Sequence, residues 1–137
     1  MRDLLLTHAV LVLLPRLHDG RIILIRPEVS PCGPAHWTLP SCLLPPASEL
    51  SAVAADLLHR TTDYQSGRLS PLGRFHAGST NHCFLAGDLR PSSLPPAPRE
   101  QTMTTAVHPA ELKQMVRLGL VECGAVLGAL TLLDLFD

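Results

Sequence analysis

Residues 39–64 read LPSCLLPPASELSAVAADLLHRTTDY, a loop that runs into an amphipathic helix. The paired prolines exclude a helix in the first part, because a proline ring clashes with the preceding turn and lacks an N–H. Ser48 has the side chain of an N-cap, and Glu49 suits the positive end of the helix dipole. Apolar residues then recur at helical spacing: Leu50, Val53, Ala54, Leu57 and Leu58. This spacing predicts a helix from Glu49 to about Thr61 with one buried face.

Length and composition bound the class of protein. The chain has 137 residues, of which 46% are hydrophobic and 17% charged, and we expect a single domain, residues 1–137. Its 11 Lys and Arg residues against 12 Asp and Glu residues give a formal net charge of -1. So small a charge creates no field that attracts a polyanion, and we expect no nucleic acid among the partners.

The cysteines and the apolar runs indicate the compartment. Four cysteines are scattered without a C-x-x-C pair, at positions 32, 42, 83 and 123, which predicts reduced thiols in a cytoplasmic protein. The N-terminal run MRDLLLTHAVLVLLP is interrupted by His8 and lacks a small-residue cleavage site, so it predicts a buried strand rather than a signal peptide. No run reaches the roughly 20 apolar residues of a membrane span, and we expect no membrane association.

Two apolar runs near the N-terminus predict a hairpin. HAVLVLL and RIILIR are separated by PRLHDG, in which Asp19 and Gly20 form a strong turn signal, so we expect the two strands to pair antiparallel. Residues 27–40 are rich in Pro, Gly and Ser and predict a surface loop anchored by Trp37.

The second half of the chain alternates strand, loop and helix patterns. LSPLGRFHAGS and NHCFLAGDL predict two strands around a short turn, and RPSSLPPAPREQ predicts an exposed loop. TMTTAVH predicts a further strand, and PAELKQMV predicts a helix that begins at Pro109 and is stopped by Gly119. A last, nearly all-apolar helix is expected from Glu122 onward. This order predicts an α/β (α+β) fold, with a mixed or antiparallel sheet and helices on its faces.

The order of segments from His8 to Leu133 resembles that of a Nudix domain. FLAGDLRP, the loop that contains Glu100, and VHPAELKQMVRLGLVECGAVLGALTLL together resemble the end of ADP-ribose pyrophosphatases and related nucleoside-diphosphate-sugar hydrolases. The resemblance implies an α/β/α sandwich with a mixed sheet and flanking helices. Because the last helix is apolar almost all round, it is either deeply buried or shared with a partner subunit, and we expect a homodimer, as is common in that family.

The Nudix signature, G-x5-E-x7-R-E-U-x-E-E-x-G-U with U apolar, can be laid over this chain in two ways. In the direct frame its positions are occupied, in order, by Cys42, Ser48, Asp56, Leu57, Leu58, Arg60, Thr61, Asp63 and Tyr64. In the shifted frame Ser41 stands at the first glycine, Asp56 at a glutamate, and His59 and Arg60 at the paired acids. The direct frame therefore keeps no signature acid, and the shifted frame keeps one.

The chemistry of the signature makes this loss important. In the family, carboxylates one helical turn apart hold Mg²⁺, which clamps pyrophosphate oxygens and helps to activate water. Here the same face offers Asp56 and, four residues on, the guanidinium of Arg60, whose charge opposes a cation. Such a pair is also an ordinary solvated ion pair worth about 0.2–0.5 kcal/mol. We therefore assign no metal ligand and expect no cofactor, with Mg²⁺ or Mn²⁺ needed only if the chain hydrolyses its ligand.

Four residues are candidates for ligand binding: Arg26, Glu49, Asp56 and Glu100. Arg26 ends a strand where the resembling enzymes carry basic residues, so it is either a phosphate contact or a surface charge. Glu49 either supplies an oxygen or supports the helix dipole. Glu100 lies where those hydrolases often keep an extra acid, and it is either a fallback general base or a solvent-exposed side chain. Beyond that fallback, no residue is assigned as catalytic.

Three functional hypotheses follow. The favoured one is a non-catalytic module that binds a nucleotide or nucleotide sugar, because a fold can be kept while its chemistry is lost. The second is a weak or altered pyrophosphohydrolase that uses Glu100, Asp56 and Glu49 with a metal held partly by substrate phosphates. The third is a structural homo-oligomer formed through the last helix. The sequence has no H-E-x-x-H pattern, no G-x-S-x-G elbow and no Walker loop, so other hydrolase classes are not expected.

Overall fold

A computed structural model describes residues 9–27, 36–77, 79–95, 102–121 and 124–136. Within these ranges the chain forms six strands and three helices. In chain order they are β1 (Ala9–Pro15), β2 (Ile22–Pro27), β3 (Ser41–Leu43), α1 (Leu50–Thr62), β4 (Tyr64–Ala77), β5 (Ser79–Pro91), β6 (Thr102–Val107), α2 (Pro109–Arg117) and α3 (Gly124–Phe136).

The strands form two sheets. The larger has the order β3-β1-β5-β4, in which β1 runs parallel to β5 and antiparallel to β3, while β4 and β5 form a long antiparallel hairpin. The smaller sheet pairs β2 with β6 antiparallel. The mixed sheet expected from the sequence is confirmed.

The predicted antiparallel pairing of β1 with β2 is wrong. The turn between them forms, with a single bridge between Arg16 and Ile22 and a bond from the Leu17 N–H to the Arg21 carbonyl at 2.8 Å. Beyond that bridge the two strands enter different sheets. The side chains of 11–14 and 22–25 are all buried. Continuous burial is typical of strands in the interior of a fold, whose partners come from distant parts of the chain.

Residues 38–44 connect the two sheets. Thr38 exchanges two backbone hydrogen bonds of 2.8 Å with Ile25 of β2. Two residues later the Pro40 carbonyl accepts from the Leu13 N–H of β1 at 2.9 Å, and β3 then pairs with β1. Trp37, directly before this segment, is half-buried against the core, as predicted for the anchor of this loop.

The core lies in two clusters, one on each face of the larger sheet. Leu11 and Leu13 of β1 pack with Ala54, Leu57 and Leu58 of α1. The alternate side chains of β1 face the other way, toward α2 and α3. That second cluster includes Val12, Leu14, Leu112, Val126, Ala129 and Leu133. The predicted α/β/α sandwich is therefore confirmed, because successive residues of β1 belong to different helical layers.

The helix ends differ slightly from the sequence prediction. The N-cap of α1 is Glu49 rather than Ser48, and the Ser48 hydroxyl instead donates to the Pro45 carbonyl within the preceding loop. Pro109 opens α2 as predicted, and the chain turns after it at Gly119, where φ is 76°. Of the described helices, none is long and apolar enough to cross a membrane.

Candidate functional site

In the direct frame the signature places one acid at Ser48, just before α1, and three on α1 itself. The three positions on the helix are Leu57, Arg60 and Thr61. Leu57 is 0% exposed and packs in the core, and Thr61 is 1% exposed, with its hydroxyl donating to the Leu57 carbonyl at 2.6 Å. Two of the three positions are therefore closed to any ligand.

The end of α1 favours the direct frame over the shifted one. Asp63 has φ 64°, the left-handed conformation, and its N–H bonds to the His59 carbonyl at the helix end. Glycine is the residue that adopts this conformation most readily. The direct frame places the last signature glycine at Asp63, whereas the shifted frame places it at Thr62, which is helical and buried.

The charged pair of this helix lies at its surface. The guanidinium Nε of Arg60 lies 3.0 Å from Asp56 Oδ2, with side chains 26% and 70% exposed. Among the residues that the structure describes, no group of three or more His, Cys, Asp or Glu side chains is placed to hold a metal ion. The described face of α1 does not fit a divalent cation, because it offers one carboxylate already paired with a guanidinium.

The chain that follows β5 covers the C-terminal end of α1. The Ser92 N–H donates to the Asp63 carbonyl at 3.0 Å, and His59 Nε2 lies 3.1 Å from the Pro95 carbonyl, which accepts. His59 is buried, and its Nδ1, 3.9 Å from Asp63 Oδ1, has no hydrogen-bond partner among the described residues. Sequence reasoning missed this cover, because a contact across 36 residues leaves no local pattern.

Of the four predicted ligand-binding residues, the three that the structure describes are not joined into one cluster. Arg26, at the end of β2, is half-buried, with its guanidinium carbon 6.0 Å from the centre of the Trp37 ring. Glu49 is exposed at the N-cap and makes no side-chain capping bond. Glu100 lies outside the described residues. Across the described ranges, no hydrogen bond or ion pair links Arg26, Glu49 and Asp56 to one another.

A cavity of about 430 Å³ lies at the N-terminal end of α1. It is lined by residues 44–48 together with Ala9 and Leu50. Ala47 in this loop has φ 59°, an unfavourable backbone conformation for an alanine. Cavities of this size and apolar character are typical of small-molecule sites.

Comparisons with known proteins identify the fold. No protein-family model matches the sequence, and no curated protein matches it. Among solved structures, an ADP compounds hydrolase superposes with a TM-score of 0.80 at 18% identity, covering 95% of this chain and 72% of that one. A MutT structure from work on Aliivibrio salmonicida and Vibrio cholerae superposes with a TM-score of 0.63 at 13% identity, covering 78% of this chain and 84% of the other. The chain has the Nudix fold.

Within the Nudix fold, the sequence resemblance and the structure agree on α1. This helix follows a loop, packs one apolar face on the mixed sheet, and ends in a left-handed residue at the glycine position of the direct frame. Identities of 18% and 13% establish the fold alone. The activity of this Nudix-fold chain must be argued from its own residues.

Proposed function

We propose that this chain is a Nudix-fold protein that binds a nucleotide- or nucleotide-sugar-like molecule without hydrolysing it. The observation that carries the proposal is the closure of the α1 face. Of the three acid positions on α1, Leu57 and Thr61 are buried, and Arg60 is paired with Asp56. For a cation to bind at that face, Leu57 and Thr61 would have to become exposed and the Asp56–Arg60 ion pair would have to separate.

The class of ligand is inferred from two features, one at the end of β2 and one at the start of α1. Arg26 beside Trp37 combines a guanidinium, which pairs well with phosphate, and an aromatic ring, on which a base can stack. The apolar cavity of about 430 Å³ at the start of α1 has room for a small molecule. One of the similar structures is an ADP compounds hydrolase, which supports a ligand related to ADP.

The remaining sequence expectations stand as proposals with this function. They are a homodimer, the absence of nucleic acid and membrane partners, a cytoplasmic location, and no required cofactor. The alternative is a weak pyrophosphohydrolase that uses Glu100 with a metal carried by substrate phosphates, and the experiment below separates the two.

The test combines thermal stabilisation and product release on the same samples. The protein is incubated with ADP-ribose, ADP-glucose and diadenosine diphosphate, each with Mn²⁺ and with EDTA. We expect at least one compound to raise the melting temperature with and without the metal, because a ligand at about 100 times its Kd stabilises the folded state by about 2.7 kcal/mol. We expect no product above background.

Matched variants locate the site. Arg26→Ala should weaken the stabilisation, whereas Arg74→Ala, which removes an exposed arginine from β4, should leave it unchanged. Manganese-dependent turnover that is lost in Glu100→Ala would contradict the proposal in favour of the hydrolase. A manganese ion seen beside Asp56 in a soaked crystal would contradict it as well.

A further inference from the structure

A second cavity, of about 520 Å³, lies at the far end of the larger sheet. It exists because the β4–β5 hairpin is longer than its neighbour. The last residue of β1 is Pro15, paired with Ala86, while β5 continues to Pro91 and stays paired with β4 as far as Tyr64. The turn after β1 then crosses in front of the uncovered hairpin, which leaves a pocket between residues 16–18 and the hairpin.

Basic side chains line this pocket. Arg16 and Arg68 contribute guanidinium groups, and His18 contributes an imidazole. The side chain of Arg68 is exposed and makes no ion pair with any residue that the structure describes. Two guanidinium groups that line one cavity attract an anion, and their N–H donors suit phosphate oxygens.

The acid in the pocket is already neutralised. Asp88 Oδ2 lies 2.9 Å from the Arg90 guanidinium, and Asp88 Oδ1 lies 3.9 Å from His18 Nε2. Asp88 is therefore ion-paired with Arg90, outside the lining of the pocket, and not with Arg68. The carboxylate can still accept a hydrogen bond from a ligand hydroxyl, because each of its oxygens has two lone pairs.

The backbone beside the pocket is held in an unusual conformation. Asp88 has φ 50°, and a side chain at Gly67, opposite, would collide with the Asp88 carboxylate. The Ser66 hydroxyl donates to the Gly87 carbonyl at 2.6 Å and accepts from the Arg68 N–H at 3.2 Å, so a side chain replaces part of the strand ladder. Such conformations persist where the surrounding structure enforces them, and they concentrate at binding sites.

We propose that this pocket binds a small sugar phosphate, with the phosphate between Arg16 and Arg68 and a sugar hydroxyl donating to Asp88. The volume fits a ligand of that size. Leu85, on the floor of the pocket, packs with the core cluster of the α3 side, on the sheet face opposite α1. The described lining of this pocket includes neither Arg26 nor Trp37, so the site is separate from the one proposed for the nucleotide.

The test is a titration followed by the amide signals of the protein in ¹⁵N NMR spectra. The probes are ribose 5-phosphate, inorganic phosphate and ribose. We expect ribose 5-phosphate to shift the amides of Gly67, Arg68 and Gly87, inorganic phosphate to shift them with weaker affinity, and ribose to leave them unchanged.

Variants separate a built site from general attraction to charge. Arg68→Ala should weaken ribose 5-phosphate binding by about tenfold or more, the loss expected for one charge-assisted hydrogen bond. Arg74→Ala, which removes the same charge from the other end of β4, should bind as the parent does. Asp88→Asn tolerates the same backbone conformation, and it should weaken ribose 5-phosphate but not inorganic phosphate.

Three results would overturn the proposal. They are the absence of shifts with ribose 5-phosphate at millimolar concentration, equal weakening by Arg68→Ala and Arg74→Ala, and equal binding of the two phosphates. The β2 variant Arg26→Ala, which tests the proposed function, should not change this titration. If the proposed nucleotide binding fails, the result of this titration can still be interpreted.

Discussion

Asp63 is one of three described non-glycine residues with a positive φ, together with Ala47 and Asp88. It ends α1 with φ 64°, which glycine adopts freely and aspartate adopts at some cost in free energy. Its carboxylate makes only a long contact of 3.9 Å with His59. The conformation is thus set by the turn from α1 into β4 and not by the side chain.

Replacing this residue tests that interpretation. Asp63→Gly should raise the free energy of unfolding by about 0.5–1 kcal/mol, because glycine relieves the backbone strain at this helix end. Asp63→Val should lower it, since a β-branched side chain fits this conformation poorly. Urea unfolding of the three proteins measures both changes, and a less stable glycine variant would contradict the prediction.

Cys83, in β5, makes the stability of the folded protein depend on pH in the alkaline range. Burial raises the pKa of its thiol from 9.0 to about 12. Above the pKa of the unfolded chain, the unfolded thiol loses its proton while the folded thiol keeps it, so stability falls as pH rises between these two values.

The expected size of this effect is measurable. Between about pH 8 and about pH 10 the parent should lose about 1.4 kcal/mol more stability than Cys83→Ala, which has no thiol to titrate. Urea unfolding at the two pH values gives the difference. Identical losses in the two proteins would mean that the folded thiol ionises as readily as the unfolded one.

At the scale of elements, α1 can be tested by restoring one signature acid. Leu57→Glu should lower the free energy of unfolding by about 3 kcal/mol or more, because it removes a core leucine and buries a carboxylate. Ala55→Glu is the matched control, since residue 55 is exposed on the same helix. It should change stability by less than about 0.5 kcal/mol. A stable Leu57→Glu protein that binds Mn²⁺ would show that this face opens.

Elements with a strong local pattern could be predicted from the sequence. The apolar spacing of α1, the β4–β5 hairpin, and the start of α2 at Pro109 all depend on residues close together in the chain. The separation of β1 from β2 could not be predicted, because the turn signal at Asp19 and Gly20 is real but specifies only the turn. The partners of β1 come from positions 41–43 and 79–91, and pairing at that distance leaves no periodic signal.

The candidate site was predictable only in part. Reading Asp56 and Arg60 as an exposed ion pair required only their spacing of four residues, and the structure places them 3.0 Å apart. The position of Arg26 near Trp37 and the contact between His59 and Pro95 depend on how distant segments fold back. The pocket beside Arg68 arises from the unequal lengths of two strands, which no single segment encodes.

At the scale of the whole molecule, the homodimer expected from the sequence stays a prediction. Three leucines near the α2–α3 connection are exposed: Leu118, Leu120 and Leu127. We expect light scattering to give twice the monomer mass of 14.8 kDa, and Leu118→Glu with Leu127→Glu to shift it toward the monomer. A monomeric parent at micromolar concentration would contradict the prediction.

Residues 38–44 also determine how the molecule can open. In the described chain, backbone hydrogen bonds of this segment join the small sheet to the large one, in addition to the turn with its bridge between Arg16 and Ile22. If they break together, β2 and β6 can separate as a unit while the β4–β5 hairpin persists. Deuterium should then enter the amides of Leu13, Ile25 and Thr38 at one common rate, ahead of the amides inside the hairpin.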